Sequence, residues 1–244
     1  MTYHPAIVAL EPLFSNPSYF AARGRSRELT DRHLADMIGI VRFTPEGWRY
    51  YALPCDKPRI GMKTLAADTS TPVNTVAICN GERIVAEAVV DCGRAHAERL
   101  MSTVDWVLRE AGMDLHDLDL LAVSAGPGSF TGLRIGVAAW KGLALATGKP
   151  MVAVPTLDAM TRLGAFRDAT VVVLLDAKMK EVFGAVYRFE GGARTKLGVD
   201  RVAAVESFLD GLPEDTIFLG DGAELYRERI ATRMPAACVL GPAF

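Results

Sequence analysis

Glycines at positions 126, 128, 132 and 136, within the segment Ser124-Ala-Gly-Pro-Gly-Ser-Phe-Thr-Gly-Leu-Arg-Ile-Gly136, join a strand-like apolar run, Leu120 to Val123, to a helix. A turn of this kind leaves backbone N–H groups free at the helix start, and Ser129 or Thr131 is placed to cap the first turn. Free N–H groups and the helix macrodipole both favour negative charge, so an anion is one occupant this geometry suits. The same glycines equally permit a tight turn and a close approach of the helix to its neighbours, with no ligand involved. Two phosphate-binding patterns are excluded. No Lys-Ser/Thr pair follows the last loop glycine, and neither the spacing nor a suitably placed acid fits the dinucleotide fingerprint.

A second set of residues repeats along the chain. Leu65-Ala-Ala-Asp68 precedes one hairpin strand, and Val173-Leu-Leu-Asp176 precedes another, Glu181-Val-Phe-Gly-Ala-Val-Tyr187. Each half opens with an apolar strand ending in Asp, a tight turn and a second strand. A duplicated α/β domain of the actin-like ATPase type begins this way, with the two aspartates facing a shared cleft. The competing reading is two unrelated strand–turn–strand units whose aspartates stabilise turns.

The elements that must position these residues follow from periodicity. Strands are expected at 63–68, 75–79 and 84–90, the last two joined by an Asn80-Gly81 turn. A helix from about Arg94 to Ala111 carries the apolar stripe Leu100, Met101, Val104, Val107, Leu108 and Ala111, with Trp106 pointing away from it. After the glycine segment a helix runs to about Ala146, with Leu133, Val137, Trp140 and Ala144 on one face and Ile135, Ala139, Leu143 and Ala146 on the opposite one. The pattern then predicts a strand at 151–154, a short helix at 156–163 capped by Thr156, strands at 171–175 and 182–189, a helix at 202–209, a strand at 217–220, a helix at 223–232 and a final strand at 237–240.

Composition bounds the reading. Half of the 244 residues are hydrophobic, enough for a substantial core, and a net charge of −2 gives no general attraction to nucleic acid. Cysteines at 55, 79, 92 and 238 form no CxxC pair, which argues against a zinc site and a disulfide scaffold and fits a reducing cytoplasm. No run is long and apolar enough for a membrane span or an export signal. Residues 1–61 differ from the rest, with no sustained period beyond a helix expected near Arg27 to Ile38. The sequence leaves open an upstream extension, a translation-start artefact or a small appended module, with Met62 as the natural start of the functional domain.

From Met62 to Phe244 the chain resembles the TsaB (YeaZ) family, which is similar to the glycoprotease-like (peptidase M22), actin-fold proteins that include TsaD. The resemblance is carried by Leu65-Ala-Ala-Asp-Thr-Ser-Thr71, Ala95-His96, the glycine segment 126–136, Gly142-Leu-Ala-Leu145, Val154-Pro-Thr-Leu157 and Asp176-Ala-Lys-Met-Lys-Glu-Val182. It implies a duplicated, actin-like (ASKHA, ribonuclease H-like) two-lobed α/β fold, with lobes at 62–165 and 166–244 and an unassigned extension before them. The family continues some tens of residues further, so the last helix of the second lobe is expected to be missing. The implied role is in making threonylcarbamoyladenosine in tRNA, as a non-catalytic subunit in a heterodimer with a TsaD-like transferase. A TsaE-like ATPase belongs to the larger complex, and tRNA is reached only indirectly. A homodimer is the further expected state.

Residue chemistry agrees with a subunit that is not itself the catalyst. Actin-fold ATPases place small residues, often Gly, beside their two phosphate-loop aspartates so that backbone amides reach the phosphates. Here Asp68 is followed by Thr69, Ser70 and Thr71, and Asp176 by Ala177, Lys178 and Met179. The loops read as vestigial, with Asp68, Thr69, Ser70, Asp176 and Lys178 leaving room for weak ATP or ADP binding at or near the partner interface. An active ATPase or small-molecule kinase, using Asp68 and Asp176 around magnesium and nucleotide, is the rival reading. A metal site is not expected, because the TsaD site uses paired histidines on a helix whereas His96 has no second His at helical spacing. A peptidase has no HExxH to rest on. The family pairs through its first two helices, which here implies Trp106, Ile135, Ala139 and Leu143 as interface residues.

Overall fold

The computed structural model describes residues 39–44, 47–52, 61–91, 93, 96–163, 166 and 168–241. The helix expected near 27–38 lies outside them, as does the side chain of His96.

Three strands, β3 (Lys63–Asp68), β4 (Val73–Asn80) and β5 (Arg83–Asp91), form an antiparallel meander. Helix α1 (His96–Ala111) leads to β6 (Leu120–Gly126), which runs parallel to β3, and helix α2 (Phe130–Thr147) leads to β7 (Met151–Pro155), parallel to β6. A short helix α3 (Thr156–Met160) and one 3-10 turn (Thr161–Leu163) lead to the second half. There β8 (Ala169–Lys178), β9 (Glu181–Glu190) and β10 (Ala193–Lys196) form another meander, with β11 (Arg201–Ala203) also on β9. After a 3-10 turn (Val205–Phe208), β12 (Ile217–Leu219) joins β8 in parallel. Helices α4 (Asp221–Leu225) and α5 (Arg227–Arg233) precede β13 (Cys238–Val239), parallel to β12.

The order β5-β4-β3-β6-β7 in the first sheet is matched by β10-β9-β8-β12-β13 in the second. With β1, β2 and β11 set aside, the third, second, first, fourth and fifth strands lie side by side in both halves, and the duplicated two-lobed fold is the one expected. Each lobe has apolar packing on both faces of its sheet. In the first, Leu65, Val76, Ile78 and Leu121 pack under α1 and α2, with Trp140 of α2 among them, while Ala66, Ala77, Ala122 and Val154 line the other face with Ala159 of α3.

Five expectations need correction. The region before Met62 does contain strands: β1 (Gly39–Thr44) and β2 (Gly47–Ala52) form a hairpin, and β1 adds antiparallel to β7 through Ile40↔Val152 and Val41↔Met151. The sheet therefore has seven strands. Two six-residue runs rich in aromatic and β-branched residues around Pro45-Glu46 carry that signal. Met101 is exposed, so it leaves the core stripe of α1. Thr156 does not cap α3; Pro155 holds the N-cap position and the Thr156 hydroxyl is buried without a partner. The helix expected over 202–209 is strand β11 followed by the 3-10 turn, and that over 223–232 breaks at Tyr226 into α4 and α5.

Candidate functional site

The glycine segment brings the start of α2 onto the turn after β3. A Cβ at Gly132 would overlap the Thr69 carbonyl oxygen, one at Gly136 would overlap the Thr69 hydroxyl, and one at Gly128 would lie 2.5 Å from the Ser70 carbonyl oxygen. That close approach is what the glycines permit here. It is fastened by hydrogen bonds: Thr69 Oγ1 donates to the Gly132 carbonyl at 2.8 Å, and the Ser129 N–H donates to the Ser70 carbonyl at 2.6 Å. Ser129 caps the helix, its Oγ accepting the Gly132 N–H at 3.3 Å.

Two amides of this turn already have partners. The Ser70 N–H donates to Asp68 Oδ1 at 2.7 Å, and the Thr69 N–H donates to Ser124 Oγ at 3.4 Å. Asp68, Thr69 and Ser70 are all buried. These three residues do come together as the sequence suggests, in a buried turn packed against the start of α2.

The second loop is closed in a similar manner. The Asp176 N–H donates to Asp221 Oδ1 at 3.0 Å, the Lys178 N–H to Asp176 Oδ1 at 2.8 Å, and the Lys178 ammonium pairs with Asp176 Oδ2. Burial pushes the Asp176 carboxyl up, but the hydrogen bonds from Lys178 outweigh it and hold the group below the ordinary value. Lys178 is raised in turn by that bond, and Asp221 is raised by burial. At the tip, Lys178, Met179 and Lys180 have φ of 66°, 52° and 66°, a left-handed run that L-residues rarely adopt. Met179 stands out almost fully exposed. Asp221 was not among the expected residues, although its setting in Gly220-Asp-Gly222 after an apolar strand is a visible signal. Both of those glycines approach the β8 backbone so closely that a Cβ would crowd Leu174. Among the described residues no His/Cys/Asp/Glu group could hold a metal ion.

On the opposite side, α1 and α2 present an outer surface. Trp106 is 44% exposed, and Met101, Leu145, Ala138, Gly142 and Ala146 are exposed with it. Of the expected interface residues, Ile135 and Ala139 are half-buried against the core and Leu143 is only 9% exposed. Leu143 is a correction: three residues advance a helix by 300°, which leaves it 60° from the buried Trp140 and not on the opposite face. Trp140 fixes that inner side, its Nε1 donating to the Leu65 carbonyl at 3.4 Å.

The chain is similar to known proteins. The family model described as "TsaD: tRNA N6-adenosine threonylcarbamoyltransferase" matches residues 90–239. The chain is 40% identical to the "tRNA threonylcarbamoyladenosine biosynthesis protein TsaB" of Escherichia coli (strain K12) over 130 residues, which are 52% of this chain and 55% of that protein. It therefore spans about half the length of that relative. To the protein of the same description from Bacillus subtilis (strain 168) it is 30% identical, covering 69% of this chain and 75% of that one. Among solved structures, "YeaZ from Pseudomonas aeruginosa" superposes with a TM-score of 0.62 at 33% identity, over 73% of this chain and 84% of the other.

Proposed function

The chain belongs to the TsaB (YeaZ) family, and from that premise we propose that it acts in threonylcarbamoyladenosine biosynthesis as a non-catalytic subunit that binds and supports a TsaD-like threonylcarbamoyl transferase. The observation that carries the non-catalytic part is the closed first loop. The Thr69 and Ser70 amides are bonded to Ser124 and Asp68, and α2 is seated on the turn, so these two donors are not free for a phosphate. At the second loop, Lys178 would first have to leave Asp176 to meet a nucleotide.

The exposed apolar side of α1 and α2, centred on Trp106 and Leu145, supports the partner role. In this reading the face meets the transferase in a heterodimer, a homodimer uses the same face in its absence, a TsaE-like ATPase joins the larger assembly, and tRNA is reached through the transferase in the cytoplasm. No helix among the described residues is long and apolar enough to cross a membrane.

Light scattering on the full chain, alone and mixed with the TsaD-like transferase of the same organism, tests the partner role. A one-to-one heterodimer that displaces any homodimer is the expected result, and the absence of a complex would overturn it. A calorimetric titration with ATP and magnesium tests the other half: the isolated chain should show weak binding or none, whereas tight binding with turnover would make it an ATPase in its own right.

A further inference from the structure

The connection between the lobes holds a polar cluster that neither the candidate loops nor the partner face uses. Helix α3 follows directly from β7 and faces both lobes. Its Ala159 packs on the first sheet beside Ala66, Ala77, Val152 and Val154. Its Leu157 and Met160 pack on the second, among Val171, Val173, Tyr187 and Leu219. The Met160 methyl lies so close to the Gly220 backbone that a Cβ there would be 3.3 Å away.

Between these two packings Asp158 points at the second sheet. Its Oδ1 accepts from Tyr187 Oη at 2.6 Å and from Lys196 Nζ at 2.8 Å. Its backbone carbonyl accepts from Arg194 Nη1 at 2.7 Å and from Thr161 Oγ1 at 2.7 Å, and Arg194 Nη1 also donates to Thr161 Oγ1 at 3.0 Å. Arg194 Nη2 stands 3.8 Å from Asp158 Oδ2. The carboxylate side chain is only 16% exposed and that of Arg194 12%. A five-residue helix has too few internal hydrogen bonds to hold its own place, so its orientation is set by what its side chains grip. Charge-assisted bonds in a mostly buried setting are the strong ones, and here they run from the inter-lobe helix to β9 and β10.

We infer that Asp158 is the lock that fixes the angle between the two lobes, fastening α3 to the second sheet while Ala159 seats it on the first. The lobes then move as one body, and the chain presents its partner face and its second loop in a constant relative position. The inference stands on the geometry of α3 and holds whether or not a transferase is the partner.

The test uses the full chain carrying spin labels at Glu110→Cys on α1 and Ala231→Cys on α5, both exposed positions. Cys55, Cys92 and Cys238 are replaced by Ser; Cys79 stays, since it is buried and burial pushes its thiol up to about 12. Pulsed dipolar spectroscopy should read one narrow inter-lobe distance in this background. Asp158→Ala should broaden or split that distance while circular dichroism is unchanged, and Asp200→Asn, which removes only the second partner of Lys196, should leave it narrow. If Asp158→Ala does not fold, Asp158→Asn and Tyr187→Phe are read in its place, with the broadening larger for Asp158→Asn. Retention of the narrow distance in all folded Asp158 variants overturns the proposal, as does equal broadening by Asp200→Asn.

Discussion

Gly132→Ala is the most direct perturbation of the closed first loop, and Gly142→Ala on the same helix is its control. In an exposed helix interior alanine is favoured over glycine by about 1 kcal/mol, an advantage that applies in full at Gly142 and at most in part at Gly132 in the first turn. Surroundings separate them. A Cβ at Gly142 meets nothing within 4 Å, whereas one at Gly132 overlaps the Thr69 carbonyl oxygen, a backbone atom that cannot swing aside. For the methyl to fit, α2 must retreat by roughly an ångström, an overpacking strain that typically costs about 1–3 kcal/mol. The same retreat stretches the bonds from Thr69 Oγ1 to the Gly132 carbonyl and from the Ser129 N–H to the Ser70 carbonyl. Each is worth about 1 kcal/mol, and more if a buried group is left unpaired. Offsetting the propensity gain, Gly132→Ala should destabilise the first lobe by about 3 kcal/mol, while Gly142→Ala should stabilise it by up to about 1 kcal/mol. Urea unfolding followed by tryptophan fluorescence reads this, since Trp140 is wholly buried against the same sheet. Equal midpoints for the two variants would refute the reasoning and show that α2 does not bear on the Thr69 turn.

Two other perturbations address different parts of the molecule. Leu145→Arg places a charge on the outer side of α2 without touching the core, so the heterodimer should weaken by at least about tenfold in a titration by light scattering, at unchanged monomer stability; loss of the fold would place Leu145 in the core instead. Glu87 is half-buried on β5, and burial holds its carboxyl above the ordinary glutamate value, so the folded chain binds its proton more tightly than the unfolded chain does. The stability this contributes is present below the unfolded value and is lost as pH rises through the folded one. Glu87→Gln should therefore be more stable than the parent near neutral pH, with the two thermal midpoints converging below about pH 4; a constant offset at every pH would mean that the charge is not what matters.

Much of this was legible because periodicity and turn chemistry are local. The Asn80-Gly81 turn, the strand that ends in Asp68 and its echo at Asp176 each follow from a few adjacent residues, and together they reveal the duplication. What Gly132 and Gly136 do is not local. Their type says that something approaches closely, but only the fold shows that it is the Thr69 turn and not a ligand. Leu143 was misplaced by treating an apolar helix as two opposed faces, when α2 has one buried side that Trp140 and Leu143 share. Asp158 gave no signal at all, since its partners Tyr187, Arg194 and Lys196 lie some thirty to forty residues along the chain and meet it only when the second sheet forms. The hairpin β1–β2 is signalled only by two short runs of β-branched and aromatic residues, too brief to stand out as a sustained period.

That hairpin bears on how the molecule keeps its own company. Along β7 the residues Met151, Val152, Ala153 and Val154 form an apolar strand at the side of the sheet, and β1 pairs with its first half. An uncovered strand of this kind offers a row of unpaired amides and carbonyls to any other extended chain. By laying β1 there the protein transfers its open margin to β2, where Arg49 interrupts the aromatic run. A shortened protein beginning at Met62 would return that margin to β7 and meet its neighbours strand to strand, so its self-association would report on a cut edge and not on the helical face proposed for a partner.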